Sequence, residues 1–537
     1  MKKSFKNIII MLIFAVVLFY LMLPAINLTS PGFWMYIIIL LFIYLILNTK
    51  MVKSNIVFSQ NNLNFTGNPF NFGKAKYALV AICVIVIGMF VINVICSPLF
   101  NASSYANRIE VLDTSDFTTD IKEVDFNSIP LLDKDSSRKL GDRKMGQITD
   151  LVSQYVVSNL YTQINYNGEI VRVTPLEYAS MIKYFTNSKN GISGYITVNS
   201  VTGESNLVRL EEGMRYSPSA LFFENLKRQL RIQYPTTIFG ESNFEIDNEG
   251  NPYWIVQTIK YRGIGLKKEV SGVIVLNAID GTSVRYNKDE VPSWIDHVYD
   301  ANLIIEQVDN WGEYNNGFLN SIFGQKNVIN TTDGYTYLAI DDDVYMYTGI
   351  TSVSTDESNI GFILTNLRTK ETHFYSVPGA EEYSAMSSAE GLVQEKGYTA
   401  SFPLLVNLKG RPTYLLSLKD QAGLVKMYSF VDVEDYQKVS VSDSSLGIEA
   451  AAEKYLNDYN FAPSKVSDRI EKTITVKTIT TAVIDGTTYY YIIDTEGNLY
   501  STSIKINRSI LPFVKEKDVL NITYNEANVN EIVALEK

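Results

Sequence analysis

The chain has 537 residues, 46% apolar and 20% charged, with 35 Tyr, 26 Phe and only two Cys. That composition excludes a disordered chain, a collagen-like chain and a disulfide scaffold. The net charge of −11 is unevenly spread, because residues 1–96 carry seven Lys and no acid, leaving 40 basic against 58 acidic residues over 97–537; so acidic a surface repels phosphate backbones and argues against a nucleic-acid partner.

Three apolar runs come first in chain order: Ile8 to Leu23, Phe33 to Leu47 and Tyr77 to Cys96. The first follows Lys2, Lys3 and Lys6 with no clean small-x-small cleavage site after it, which favours a membrane helix over a signal peptide. The third matches the span of a hydrocarbon core, and the second is short enough to need Lys50 and Lys53 at the interface. Basic residues gather before the first run and between the second and third, so the positive-inside rule places the amino terminus in the cytoplasm and residues 97–537 outside the cell membrane. No run contains a charge, which gives no support to an ion pathway, while Gly88 and Asn93 are candidates for helix packing. Both cysteines, Cys83 and Cys96, lie in the third run, so the exported part is expected to be free of thiols, a habit of Gram-positive bacteria rather than of eukaryotic secretion.

Beyond the runs, the apolar spacing of Leu140, Ile148, Leu151, Tyr155 and Val156 predicts a helix over 136–163. Three stretches then share one pattern, a strand running into a turn: Gly194 to Ser205, Gly272 to Ser283 and Gly361 to Thr372, with Asn199, Asn277 and Asn366 at the same offset. Thr-Gly, Asp-Gly and Thr-Lys fall where a hairpin needs positive φ, and Lys370 departs from the glycine of the other two. A second signature, a turn glycine opening an aromatic-rich strand, recurs at Gly250, Gly334 and Gly410. Between the signatures lie helical stretches, the clearest at 217–230 with Ser217 as N-cap and Pro218 at the first helical position, and weaker ones at 291–308 and 379–394. The repeated unit reads as strand, turn, helix, strand.

The strand Gly272 to Gly281, and similarly Gly194 to Gly203, resembles the hallmark of the PepSY domain, Gly-x-Val-x-Val-Asn-Ala-x-Thr-Gly. The whole chain resembles an uncharacterised family of Gram-positive multi-span membrane proteins with PepSY-like extracytoplasmic repeats. The resemblance implies non-catalytic modules that regulate or chaperone peptidases and wall enzymes. After the repeats, a helix is predicted over 443–459 before the break at Ala462-Pro463, and five strands from Thr473 onward, with turns at Asp485-Gly486 and Glu496-Gly497, predict a small OB- or SH3-like barrel. The fold expected is α+β: a membrane domain with three transmembrane helices (1–100), a connecting region (101–190), three repeats (191–270, 271–360 and 361–440), a linker helix (441–465) and the barrel (466–537).

Chemistry is sparse. His297 and His373 sit in no metal pattern, and no Gly-x-Ser-x-Gly elbow or Ser-x-x-Lys occurs, so structural or surface roles are expected for both histidines. Asp341 and Asp343, in the cluster Asp341-Asp342-Asp343, and Asp247 with Glu249 are the candidate metal-binding carboxylates, with calcium as the cation, although the spacing excludes an EF-hand. Tyr253, Trp254, Tyr345 and Tyr347 are the candidate binding aromatics, for stacking on glycan or gripping a peptide strand at a sheet edge. No cofactor is expected. The expected partners are the lipid bilayer and another exported or membrane protein, with a homo-oligomer as a further form and an envelope hydrolase using Asp341 to Asp343 as the alternative function.

Overall fold

The computed structural model describes residues 2–51, 55–59, 62–66, 70–71, 73–113, 117–340, 342–353, 355–459, 461, 469–484, 487–504, 506–508, 510–525 and 530–536. It divides into two compact units, Met1–Tyr459 and Asn460–Lys537.

The first unit opens with helices Lys2–Met22, Pro31–Asn48 and Lys76–Cys96. Two of them, Pro31–Asn48 near the amino terminus and Lys76–Cys96, are long and apolar enough to cross a membrane, whereas the apolar part described for the first, Asn7–Met22, is shorter. The ends of these helices are bonded into the folded part that follows. Ile26 N–H donates to Pro235 O at 2.9 Å and Gly265 N–H to Thr29 O at 3.1 Å. Arg231 Nε reaches Leu23 O at 3.0 Å. Asn93 makes a two-way bond to one residue, its Nδ2 donating to Ile264 O at 3.1 Å and its Oδ1 accepting Ile264 N–H at 2.9 Å. The carboxamide read as a helix-packing residue therefore holds a loop of the second sheet.

Four antiparallel meanders follow, each preceded by a helix. In the first sheet Thr162–Tyr166, Glu169–Tyr178, Ile192–Asn199 and Ser205–Met214 lie in chain order, with Tyr155–Val157 also on the second of these. The second sheet is Ile238–Ile246, Pro252–Tyr261, Lys268–Asn277 and Ser283–Asn287. In the third, Ile329–Thr331 and Thr336–Ile340 pair with Asp343–Ser352, which is followed by Thr355–Asn366 and Thr372–Tyr375, and Val111–Asp113 adds a parallel edge. The fourth is Leu404–Leu408, Arg411–Lys419, Val425–Asp432 and Val439–Asp443. Helices Lys134–Gly146, Leu226–Gln233, Ala301–Tyr314 and Glu382–Gly391 precede the four sheets. Asp133, Asn225 and Asp300 cap the first three of these helices through Ser136, Arg228 and Leu303 N–H.

The same turn chemistry closes the second hairpin of every sheet. Asn199 Oδ1 accepts from Val201 and Thr202 N–H. Asn277 does so from Ile279 and Asp280, and Asn366 from Arg368 and Thr369. In the fourth sheet Asp432 takes the role, accepting from Glu434 and Asp435. Gly203 and Gly281 end their turns at φ +77° and +76°, and Lys370 adopts +67° in the same place. Its left-handed backbone is held because its Nζ is anchored on Arg108 O at 2.7 Å and Gln307 Oε1 at 3.2 Å. One further bond recurs. Leu132 N–H donates to Ser200 O, Arg215 and Tyr216 to Ala278 O, Val298 and Tyr299 to Leu367 O, and Ala380 to Val433 O.

These sheets correct the frame read from sequence. The expected boundary at 270/271 cuts the strand Lys268–Asn277, and that at 360/361 cuts Thr355–Asn366. The repeat is a helix followed by two hairpins, and the described residues contain four sheets of this order rather than three. Gly250 and Gly410 belong to first hairpins, where Asp247 and Asn407 accept from the turn, whereas Gly334 lies between the strands Ile329–Thr331 and Thr336–Ile340 of the third sheet. The helix expected over 136–163 is Lys134–Gly146, and Tyr155 begins a strand instead. Ser217 accepts from Ala220 N–H in a turn, so Asn225 is the cap eight residues later than expected.

The second unit is a closed barrel of Arg469–Ile484, Thr487–Asp494, Leu499–Ser503, Asn530–Glu536 and Val519–Asn525 in that spatial order, with the third and fourth of these parallel. Ile474, Val476, Ile492, Tyr500, Leu520 and Ile532 fill it. The turn expected at Asp485-Gly486 and the break at Ala462-Pro463 lie outside the described residues.

Candidate functional site

Polar groups converge where the first three sheets meet. On the first sheet Gln163 and Arg172 are direct cross-strand partners, so their side chains share a face. Both are buried, at 1% and 5% exposure. Together with His297, Tyr335 and Tyr337 they line a cavity of about 410 Å³. Among the described residues, Arg172 Nε and both amide atoms of Gln163 have no hydrogen-bond partner. Burial pushes the Arg172 guanidinium below its ordinary value, with only partial relief from Tyr337 and Asp133. The Asp133 carboxylate is itself bonded to Lys419 Nζ and Ser136 N–H.

Beneath the cavity, the linker between the second sheet and the helix Ala301–Tyr314 turns inward. Glu245, wholly buried, accepts Asp296 N–H at 3.0 Å and His297 N–H at 3.2 Å. Asp296 Oδ2 accepts Asn165 N–H at 2.7 Å from the first hairpin. Burial raises Glu245 to about 7 and raises Asp296 as well, the charge of Glu245 adding to the effect on Asp296. His297 Nε2 lies 2.6 Å from Gln163 O, a distance at which the ring nitrogen donates. Burial drives this imidazole down to about 4, with the Arg172 charge as a further cause, so it is neutral at ordinary pH. Tyr337 stands edge-on to it at 5.6 Å. The two acids serve backbone N–H groups, while the cation and the amide face open volume; the arrangement is suited to holding a ligand.

The residues singled out in the sequence lie elsewhere. Asp341 falls outside the described residues. Asp343 accepts from Asn366 Nδ2 and the Arg368 guanidinium, which ties the two hairpins of the third sheet together. Asp247 Oδ1 accepts Glu249 and Asn251 N–H and its Oδ2 accepts Asn251 Nδ2, the bonding of a self-closed turn. Among the described residues no group of three or more His, Cys, Asp or Glu is placed to hold a metal ion. Trp254 is wholly buried, its Nε1 donating to Tyr216 O at 2.8 Å, and so is Tyr347, whose hydroxyl donates to Glu382 Oε1 at 2.9 Å. Neither reaches an exposed sheet edge, and both are corrected to core residues. Tyr253 is half-buried against Trp294 at 5.1 Å, and Tyr345 is half-buried beside Leu338 of the neighbouring strand. His373 pairs with Glu371 at 2.8 Å on the surface of the third sheet. The sequence did hold a signal for the missed residues, since Arg172 and Glu245 are lone charges inside the buried strands Ile170-Val-Arg-Val and Phe244-Glu-Ile.

No family model matches the chain, and no curated protein matches it. Among solved structures, a mutant of Synechocystis apocarotenoid oxygenase aligns at 8% identity over 71% of this chain with a TM-score of 0.12. The chain spans about 64% of that structure's length. A superposition at that score defines no common fold.

Proposed function

We propose that the protein is a non-enzymatic, membrane-anchored envelope protein whose repeats bind, regulate or organise another exported protein. The observation that carries this reading is the seam between the apolar helices and the second sheet. Asn93, Thr29, Leu23 and Ile26 each bond to the segments 231–235 and 264–265, so helices and sheets are fixed to one another. In this reading the amino terminus is cytoplasmic, the helices are three spans, and residues 97–537 stand outside with their acidic surface turned to a neutral or basic partner. Exposed Met181, Ile182, Phe185, Phe222 and Phe223 support a seat on lipid, because Arg228, which bonds Phe222 O, also lies 4.2 Å over the ring of Tyr20 at the end of the first helix. The four like sheets support a PepSY-like repeat that presents similar surfaces in series.

In-cell cross-linking of the tagged full-length chain, followed by mass spectrometry, tests the proposal. Recovery of a stoichiometric exported enzyme or wall protein supports it. Recovery of its own copies alone points to self-assembly. Hydrolysis of a wall or peptide substrate, abolished by Asp343→Asn, refutes the non-enzymatic reading.

A further inference from the structure

The cavity at the meeting of the first three sheets contains a contradiction that chemistry resolves in one direction. A guanidinium taken out of water needs a counter-charge or a full set of acceptors, and a buried ion without either is among the costliest features a fold can keep. Arg172 is 5% exposed, its Nε has no partner among the described residues, and the acid acting on it, Asp133, is committed to Lys419. Beside it, on the paired strand and the same face, the Gln163 amide at 1% exposure has neither its donor nor its acceptor satisfied. Lys134, Asp135, Asn243 and Thr336 also line the cavity, and none of them is bonded to Arg172 Nε or to the Gln163 amide. The His297 ring is turned to Gln163 O, and the Glu245 oxygens are taken by backbone N–H groups. The volume of about 410 Å³ lies in the range of small-ligand sites, and Tyr161, Tyr335, Tyr337 and Phe402 supply apolar wall.

Three demands therefore fall on one occupant. It must carry a planar anion that a guanidinium fork can grip, an amide-like group that both donates to and accepts from Gln163, and an apolar body for the aromatic wall. We infer that the cavity binds the terminal carboxylate of an acylated apolar amino acid, with Arg172 on the carboxylate and Gln163 on the adjoining amide. A free N-acyl amino acid and the carboxy terminus of a peptide share this chemistry. The assignment goes beyond the partner binding proposed above and does not depend on it, since it concerns a small-ligand site read directly by titration.

The test is calorimetric titration of the detergent-solubilised full-length protein with N-acetyl-L-phenylalanine, its primary amide, a pentapeptide ending in Phe with free or amidated carboxy terminus, and inorganic phosphate. Saturable binding of N-acetyl-L-phenylalanine at least tenfold tighter than its amide is expected. Tighter binding of the free-ended pentapeptide would identify a chain end as the source, and its exclusion would identify the free acylamino acid. Arg172→Met should abolish binding while the thermal midpoint holds or rises, because a buried charge is removed. Gln163→Leu should weaken binding about fivefold, and Arg172→Lys, which keeps the charge but loses the fork, about tenfold. Equal affinity for acid and amide, preference for phosphate, no saturable heat with any probe, or unchanged binding by Arg172→Met would each overturn the inference. Should Arg172→Met fail to fold, the acid-against-amide comparison on the unaltered protein still decides.

Discussion

Replacing Glu245 by Gln keeps the shape of the side chain and removes its charge, which makes it a direct probe of the buried acid pair. Glu245 is raised to about 7 by burial, against an ordinary value of 4.5. Between those two pH values the folded chain holds a proton that the unfolded chain has lost, so stability falls as pH rises from about 4.5 to about 7 and stays lower above. At about 1.4 kcal/mol per pKa unit, the loss is on the order of 3 kcal/mol. The amide introduced by Glu245→Gln cannot titrate, so the stability difference between variant and wild type should shift by that amount in favour of the variant across the same window. The amide offers one acceptor to the two N–H groups of Asp296 and His297, which adds a constant cost of ~1–2 kcal/mol that pH does not move. An unfolding entropy of ~2.1 cal/mol/K per residue over a unit of this size converts the pH-dependent part to roughly 3 °C of thermal midpoint. Near-ultraviolet circular dichroism of the full chain in detergent, melted at half-unit steps from pH 4.5 to 8, reads the effect. Parallel curves for the two proteins would show that Glu245 ionises freely in the fold and would sink the account of the site.

His297 carries the opposite slope. Neutral when folded, it withholds stability as pH falls from about 6.5 toward 4, and His297→Gln should flatten that acid limb in the same melts. Gly281→Ala should cost ~2 kcal/mol or more in urea unfolding, because its Cβ would collide with the Tyr216 ring at φ +76°, whereas Gly410→Ala, with nothing within 4 Å, should cost only about 1 kcal/mol of left-handed strain. Trp254→Ala should lower stability by about 3–5 kcal/mol, as expected for deleting a wholly buried indole, while Tyr253→Ala costs clearly less. In a background without native cysteines, Ser445→Cys should react with a membrane-impermeant maleimide in intact cells and Ser59→Cys only after permeabilisation; the reverse pattern inverts the proposed topology.

What could be read from sequence was local. Asn199, Asn277 and Asn366 announced their hairpins because an Asn turn is decided within five residues, and each closes as that chemistry requires. The fourth copy escaped because Asp432 replaces the Asn and no Gly follows at the fourth place, although the bonding is the same. Leu151 and Tyr155 misled because their spacing fits a helix as well as it fits a turn leading to a short edge strand. The cavity was out of reach for a different reason. Arg172 and Gln163 acquire meaning from Tyr335 and Tyr337, more than 160 residues away, and no periodicity encodes that approach. Trp254 and Tyr347 looked like ligand-gripping aromatics, yet strands with both faces covered bury the same residue types that exposed edges display.

The bond that leaves each sheet for the next also sets an order of assembly. Arg215 and Tyr216 close the first sheet but find their acceptor on Ala278, Val298 and Tyr299 find theirs on Leu367, and Ala380 finds its own on Val433. A chain delivered amino terminus first leaves each of these latches open until the following meander has arrived. Maturation of the first unit is then a relay that finishes only when residue 433 is in place, with the barrel of 469–536 free to close on its own. Truncation ahead of the second, third or fourth sheet should leave the donors that precede it without their acceptor.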